Sequence, residues 1–153
     1  MRGLAIIFDL LLIVGGILAM SGLIIAKKPD AKAILDKVMP FQALIGVAML
    51  VLGIIYLIVL GPIAVFKGIT VNPLPGAAAL GGILVAIILG ALFAVQQLAK
   101  MTGDLNAEQK ALELSNKLAP FQMLLGLLAI ACAVVSLLAI AGLLKIVDTV
   151  VNG

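Results

Sequence analysis

Residues 36–46 read DKVMPFQALIG, and residues 116–126 read NKLAPFQMLLG. In each copy a polar segment that carries lysine meets Pro-Phe-Gln and passes into a long apolar run, which is typical of a transmembrane helix that starts at the membrane interface. The recurrence predicts that the chain is built from a duplicated unit. Its repeated motif consists of Pro40, Phe41 and Gln42 in the first copy and of Pro120, Phe121 and Gln122 in the second.

The composition indicates a chain that resides in the lipid bilayer. Apolar residues make up 65% of the 153 residues and charged residues only 11%, and the mean hydropathy is +1.37. Soluble domains, by contrast, are about half apolar and a quarter charged. A chain of this length has room for about four spans of roughly 20 residues each. The net charge of +3 comes mainly from lysines at predicted membrane edges, which favours contact with membrane lipids and not with nucleic acid.

The sequence lacks the residues that most enzymes use. It has no histidine, and its single cysteine, Cys132, lies in an apolar run. This excludes Ser-His and Cys-His catalysis and imidazole metal sites. We therefore predict a non-enzymatic protein with no catalytic residue, cofactor or metal.

The hydropathy pattern predicts an all-α integral membrane protein with four transmembrane helices. We expect one membrane domain, residues 1–153, made of two parallel repeats of a helical hairpin, one over about residues 4–66 and the other over about 77–147. The predicted spans cover about residues 4–26, 40–60, 77–98 and 120–144.

Shorter elements connect these spans. Before each Pro-Phe-Gln motif we expect a short amphipathic cytoplasmic helix, over residues 31–39 in the first repeat and within residues 100–119 in the second. In the second, Asn106 to Gln109 resembles a capping box. Residues 61–76 are rich in glycine and proline, and we predict an apolar loop there.

The positions of lysine and arginine predict the orientation. The two linkers that precede Pro-Phe-Gln carry seven lysines, which are Lys27, Lys28, Lys32, Lys37, Lys100, Lys110 and Lys117; the opposite side has Arg2, Lys67 and Lys145. By the positive-inside rule the linkers face the cytoplasm and both termini face out. The small size and the lysine bias favour a bacterial inner membrane.

The third predicted span carries a stripe of small residues that recur every fourth position. The stripe consists of Ala78, Gly82, Ala86, Gly90 and Ala94. Small residues at this spacing let another helix approach closely, which is how helices associate in lipid. We interpret the stripe as a helix-packing surface, either within the chain or between copies, with the lining of a narrow path as the alternative.

Asp9 is the one charged residue inside a predicted span, about five residues into the first helix. A carboxylate within the membrane is costly to bury and is therefore a candidate functional residue. The favoured interpretation is nevertheless structural, since Lys67 and Lys145 lie on the same predicted side and an ion pair or interfacial water would stabilise Asp9. The alternative hypothesis is that Asp9 handles protons or cations.

Glutamines form the second polar group. Gln42 and Gln122 fall in the first turns of the second and fourth spans, and Gln96 and Gln97 in the last turn of the third. All four are thus predicted at the cytoplasmic level of the bilayer, facing water and headgroups. A polar mouth for a substrate, lined by Gln42 and Gln122, is the alternative.

The segment Ala26-Lys27-Lys28-Pro29-Asp30 between two glycine-bearing helices resembles the polar loop of a rotary-ATPase proteolipid hairpin. A doubled hairpin of about this length is known in that family. The resemblance implies an ion-binding carboxylate in the middle of the helix after the loop, and neither the second nor the fourth predicted span contains an acidic residue. The sequence therefore does not predict membership.

Two hypotheses about function remain. The first is a structural or assembly protein that forms a homo-oligomer or packs as a small subunit of a larger membrane complex. The second is a small channel or transporter for protons or cations that uses Asp9 with Gln42 and Gln122. Because the predicted spans have almost no polar residues at mid-membrane, the sequence favours the first hypothesis.

Overall fold

A computed structural model describes residues 2–142 and 149–150. The described residues are almost entirely helical, and no strand occurs among them. The α-helices are α1 (Arg2–Ala19), α2 (Ser21–Lys27), α3 (Lys32–Val38), α4 (Gln42–Val71), α5 (Pro73–Met101) and α6 (Leu105–Ile140), with 3₁₀ turns at Pro29–Ala31 and Met39–Phe41.

Three segments are long and apolar enough to cross a membrane: Pro29–Gly61, Pro73–Met101 and Asn116–Ile140. A fourth crossing is counted if Gly3–Ala19 and Ser21–Lys27, which meet at an angle of 59°, form one bent span. The predicted class, an all-helical chain with several apolar helices suited to a multi-pass membrane protein, is therefore confirmed.

The first predicted span, residues 4–26, is wrong as one continuous helix. Met20 has φ −93° and ψ 4°, and it separates α1 from α2. Ser21 and Gly22 follow it, and sharp helix kinks are typical of such Gly/Ser pairs. The α2 helix therefore leaves the axis of α1.

The predicted loop at residues 61–76 is also wrong, because this segment is mostly helical. Helix α4 runs on to Val71, with one non-helical residue, Gly61, at φ 66° and ψ 151°. The connection to α5 is Asn72 alone, and Pro73 opens the next helix, where its fixed φ is favourable. An apolar segment near lipid satisfies its backbone hydrogen bonds best as helix, which explains why glycine and proline do not produce a loop here.

The second linker differs from its prediction as well. Helix α6 continues through Pro120 from Leu105 to Ile140, so no separate surface helix precedes this Pro-Phe-Gln motif. Residues 107–114 are mostly good helix formers, and this accounts for the continuity. The N-cap is Asp104, whose carboxylate accepts a 2.9 Å hydrogen bond from the Asn106 backbone N–H, two residues before the predicted capping box.

The four long helices form a bundle in which each has two main neighbours. Helix α5 packs against α4 and α6, and α1 packs against α6 and α4. The largest fully buried side chains are Leu12, Met49, Ile83, Leu89 and Phe93. Many other large apolar side chains point outward, as expected for helices that contact lipid.

Two glycine pairs bring helix backbones close together. A Cβ atom on Gly126 of α6 would lie 2.7 Å from the carbonyl oxygen of Gly16 on α1. A Cβ atom on Gly90 of α5 would lie 2.6 Å from the carbonyl oxygen of Gly46 on α4. Both crossings therefore require glycine, and both use a glycine, Gly46 or Gly126, from the repeated sequence motif.

Candidate functional site

The candidate site is built around Asp9 on α1. Phe8, Asp9 and Leu12 face the interior of the bundle because they share one side of the helix, and Asp9 is only 3% exposed. It is the one buried charged residue in the described part of the chain. Burying a carboxylate in apolar surroundings costs free energy unless a partner residue or a ligand stabilises it.

The partner of Asp9 is on another helix. The Ser136 hydroxyl on α6 donates a 2.8 Å hydrogen bond to Asp9 Oδ2. Lys67 is exposed and no described lysine forms an ion pair with Asp9, while Lys145 lies outside the described residues. Of the structural partners considered for Asp9, the ion pair with Lys67 is therefore not formed, and the described hydrogen-bond partner is the Ser136 hydroxyl.

A cavity of about 310 Å³ adjoins this pair. All four long helices line it, and its wall is mostly apolar. The lining residues are Ala5, Phe8, Asp9, Leu12, Tyr56, Leu60, Pro75, Ala78, Ala79, Gly82, Ile83, Ser136, Ala139 and Ile140. The cavity thus lies between the helices and at the end of the bundle where α1 begins.

Two aromatic rings line the cavity together with the carboxylate. The ring centroids of Phe8 and Tyr56 are 4.9 Å apart, with the planes inclined at 37°. The fold thus places Tyr56 of α4 against α1 and in the cavity wall. The site therefore combines one carboxylate, one aliphatic hydroxyl and an aromatic pair in apolar surroundings.

Beyond the cavity the bundle is tightly packed. Met49 and Leu89 are completely buried and Phe93 is 2% exposed, and these side chains lie between the cavity and the lysine-bearing end. Among the described residues, Asp9 is the one polar or charged residue that is buried, so no second buried polar residue accompanies these side chains. In this conformation the cavity is closed toward the other end of the bundle.

The predicted pair of glutamines is not brought together. Gln42 lies on α4 and Gln122 on α6, and these two helices occupy diagonal positions in the bundle. The Nε2 atom of Gln122 is buried and has no hydrogen-bond partner within the described part of the protein. The bundle therefore places Gln42 and Gln122 on helices that do not pack directly against each other.

The small-residue stripe lies inside the bundle. Ala78, Gly82, Ala86 and Gly90 are buried, and Ala94 is half-buried. A Cβ atom on Gly82 would be 3.2 Å from Leu12 on α1, and one on Gly90 would meet α4. The stripe therefore packs α5 within the chain, and it is not placed on an outer surface where another copy would dock.

The described residues contain no group of three or more His, Cys, Asp or Glu side chains that could hold a metal ion. Cys132 is half-buried on α6, with its Sγ 3.1 Å from the position of a Cβ atom on Gly81. The thiol therefore packs against α5.

Sequence reasoning missed the role of Ser136. The signal was present, because Ser136 is one of very few hydroxyls in the predicted spans and lies near the same end of the bundle as Asp9. Polar side chains in lipid tend to pair across helices. The pairing could be inferred only after α1 and α6 were known to be neighbours.

Comparison of the chain with protein-family models, curated proteins and solved structures finds no match.

Proposed function

We propose that the protein is a small multi-pass membrane transporter that binds a proton or another monovalent cation at Asp9. One observation carries the proposal: a buried carboxylate that forms no ion pair with any described lysine lines a cavity between four helices. Ionisable groups kept inside a membrane domain usually mark ion or substrate paths. Because no family match supports the transport function, the proposal rests on the geometry of Asp9 and its cavity.

The duplicated organisation supports a transport role. If α1 is aligned with α5 by a shift of 74 positions and α4 with α6 by 80, buried positions coincide: Leu12 with Ala86, Gly16 with Gly90, and Met49 with Ala129. The repeats would then be two hairpins, α1 with α4 and α5 with α6, related by an axis along the membrane normal. Several transporter folds are built from parallel repeats of this kind.

The position of the cavity also agrees with this organisation. Both hairpins contribute to its lining, and transporter sites typically lie at the interface between repeats. Both glycine crossings, Gly16 with Gly126 and Gly46 with Gly90, connect one hairpin to the other. We propose that these crossings are the contacts around which the hairpins rock to open the closed end of the cavity.

The lysines suggest which side the cavity opens to. All seven linker lysines are exposed and lie at the end of the bundle opposite Asp9. In the proposed orientation this end is cytoplasmic by the positive-inside rule, in a bacterial inner membrane. The Asp9 cavity and both termini would then face outward.

A structural or assembly role remains the second candidate, and the packed core favours it. Leu12, Met49, Leu89 and Phe93 leave no polar path through the described core. In this alternative the Asp9–Ser136 hydrogen bond only ties α1 to α6. The outward apolar surface would pack on lipids, on further copies of the chain, or on a larger membrane complex.

Flux in proteoliposomes separates the two candidates. The wild-type protein is reconstituted, and proton and monovalent-cation fluxes are recorded beside those of Asp9→Asn, which keeps the side-chain shape but removes the charge. Ser21→Ala is the matched control, because it removes a hydroxyl away from the cavity. Transport predicts a flux that Asp9→Asn loses and Ser21→Ala keeps. Equal fluxes in wild type and Asp9→Asn, at the level of empty liposomes, would favour the assembly role.

A further inference from the structure

The size and lining of the cavity restrict which cation it can take. At about 310 Å³ it is at the lower end of the range found for small-molecule sites, roughly 300–1,000 Å³. A proton alone would not need this volume. A bare metal cation would need about six oxygen ligands, whereas the described lining residues include one acidic side chain, Asp9, and one aliphatic hydroxyl, Ser136.

The chemistry of the wall matches an organic cation. Asp9 Oδ2 accepts a hydrogen bond from the Ser136 hydroxyl, and the carboxylate lines the cavity, where it can hold a positive charge. The rings of Phe8 and Tyr56 line the same cavity as Asp9, and aromatic faces attract ammonium groups. Apolar substituents on the nitrogen would contact Leu60, Ala79 and Ile83, which complete this part of the wall.

The two repeats are unequal at this level, which sets the number of charges bound. Under the alignment of the hairpins, the counterpart of Asp9 on α5 is Ile83, and the counterpart of Ser136 on α4 is Tyr56. All four side chains line the same cavity. The first repeat therefore supplies a carboxylate, Asp9, at the position where the second repeat supplies the apolar Ile83. The cavity shared by the two repeats thus holds one negative charge.

We propose that the Asp9 cavity binds a single small organic ammonium ion with apolar substituents, with Asp9 holding the charge and Phe8 and Tyr56 contacting the ammonium group. The proposal rests on the proposed function and names its substrate class. The ammonium group could belong to a free amine or to a lipid headgroup, because both present the same chemistry to the carboxylate.

The protein offers a built-in probe of this site. It has no tryptophan and one tyrosine, Tyr56, so its tyrosine fluorescence reports on the cavity alone. We would titrate tetraethylammonium chloride into the full chain in phosphatidylglycerol nanodiscs, with sodium chloride at equal ionic strength as the reference. The expected result is a saturable change with one ion bound per chain, and binding at least tenfold weaker in Asp9→Asn.

A second variant covers the case in which Asp9→Asn fails to fold. Ala79 lies in the cavity wall with an exposed side chain, so Ala79→Leu should narrow the cavity while keeping the carboxylate. It is expected to weaken tetraethylammonium binding as well, whereas Gly22→Ala, which has open space around it, is not. No saturable change in the wild type, or equal affinity in wild type, Asp9→Asn and Ala79→Leu, would overturn the proposal.

Proton flux distinguishes the failure of this proposal from the failure of the proposed function. If protons cross in an Asp9-dependent manner but tetraethylammonium does not bind, the ammonium proposal is wrong and the function stands. If neither depends on Asp9, both are wrong. Where binding is found, competition by added phosphatidylethanolamine would assign the ammonium group to a lipid headgroup, and lack of competition would assign it to a free amine; either result supports the proposal.

Discussion

The Ser136 hydroxyl donates a 2.8 Å hydrogen bond to Asp9 Oδ2 and so joins α6 to α1. The two residues are 127 positions apart in the chain and belong to different predicted repeats. The bond satisfies one oxygen of a carboxylate that also lines the cavity. It also holds the carboxylate in place, as a binding site requires.

Ser136→Ala should lower the free energy of unfolding by roughly 1–2 kcal/mol, because it removes an interhelical hydrogen bond and leaves a buried acceptor without its donor. The measurement is unfolding in mixed micelles at increasing denaturing-detergent fraction. Ser21→Ala, which lies at the bend beyond α1, is the matched control. Equal stability of Ser136→Ala and Ser21→Ala would mean that this hydrogen bond does not stabilise the bundle.

Gly90→Ala should destabilise the protein by about 1–3 kcal/mol, because the added methyl group would be placed 2.6 Å from the backbone of α4 and the helices must move apart. Gly126→Ala should have a similar effect at the crossing of α6 with α1. Gly22→Ala has open space around it and should stabilise α2 by up to about 1 kcal/mol. The same unfolding assay checks all three, and a neutral Gly90→Ala would contradict the close crossing.

Gly61→Ala tests the interruption of α4. At φ 66° and ψ 151° the residue occupies a region that is essentially reserved for glycine, and a side chain there costs about 1–3 kcal/mol. Gly68→Ala is the control within the same helix, since it also has open space around it but a negative φ. Thermal unfolding should separate the two variants, and a Gly61→Ala protein as stable as Gly68→Ala would show that α4 is continuous in solution.

The proposed orientation predicts which positions an impermeant thiol reagent reaches in intact cells. In a Cys132→Ala background, cysteine placed at Lys28 or Gly103 should react only after the membrane is permeabilised, because both positions are exposed at the lysine-bearing end. A cysteine in place of Ile63, exposed at the opposite end, should react from outside. The reverse pattern would invert the orientation and place the Asp9 cavity on the cytoplasmic side.

The helical class could be predicted because composition and long apolar runs are strong signals. The helix boundaries could not be predicted, since they depend on contacts between helices. A Cβ atom on Gly76 would lie 2.6 Å from the backbone of Gly68, and this close approach lets α4 and α5 meet across Asn72 alone. Glycine and proline near residue 61 indicate a loop in water, but near lipid the backbone remains helical.

The candidate site was partly predictable for a similar reason. Asp9 was evident as a rare charge in an apolar segment, and the stripe from Ala78 to Ala94 was evident from its spacing. The side chains that surround Asp9 could not be predicted, because the spacing of residues does not reveal which helices are adjacent. Ser136 and Tyr56 became part of the site only through the arrangement of α1, α4 and α6 around the cavity.

Charge movement at Asp9 tests the central claim most directly. Proteoliposomes adsorbed on a solid-supported membrane are exposed to a sudden step in proton or tetraethylammonium concentration, and the transient current is recorded for wild type, Asp9→Asn and Ser21→Ala. Cation binding at Asp9 predicts a saturable current in wild type and in Ser21→Ala, and the loss of this current in Asp9→Asn. Currents of equal size in wild type and Asp9→Asn, or none above protein-free liposomes for either cation, would contradict cation binding at Asp9.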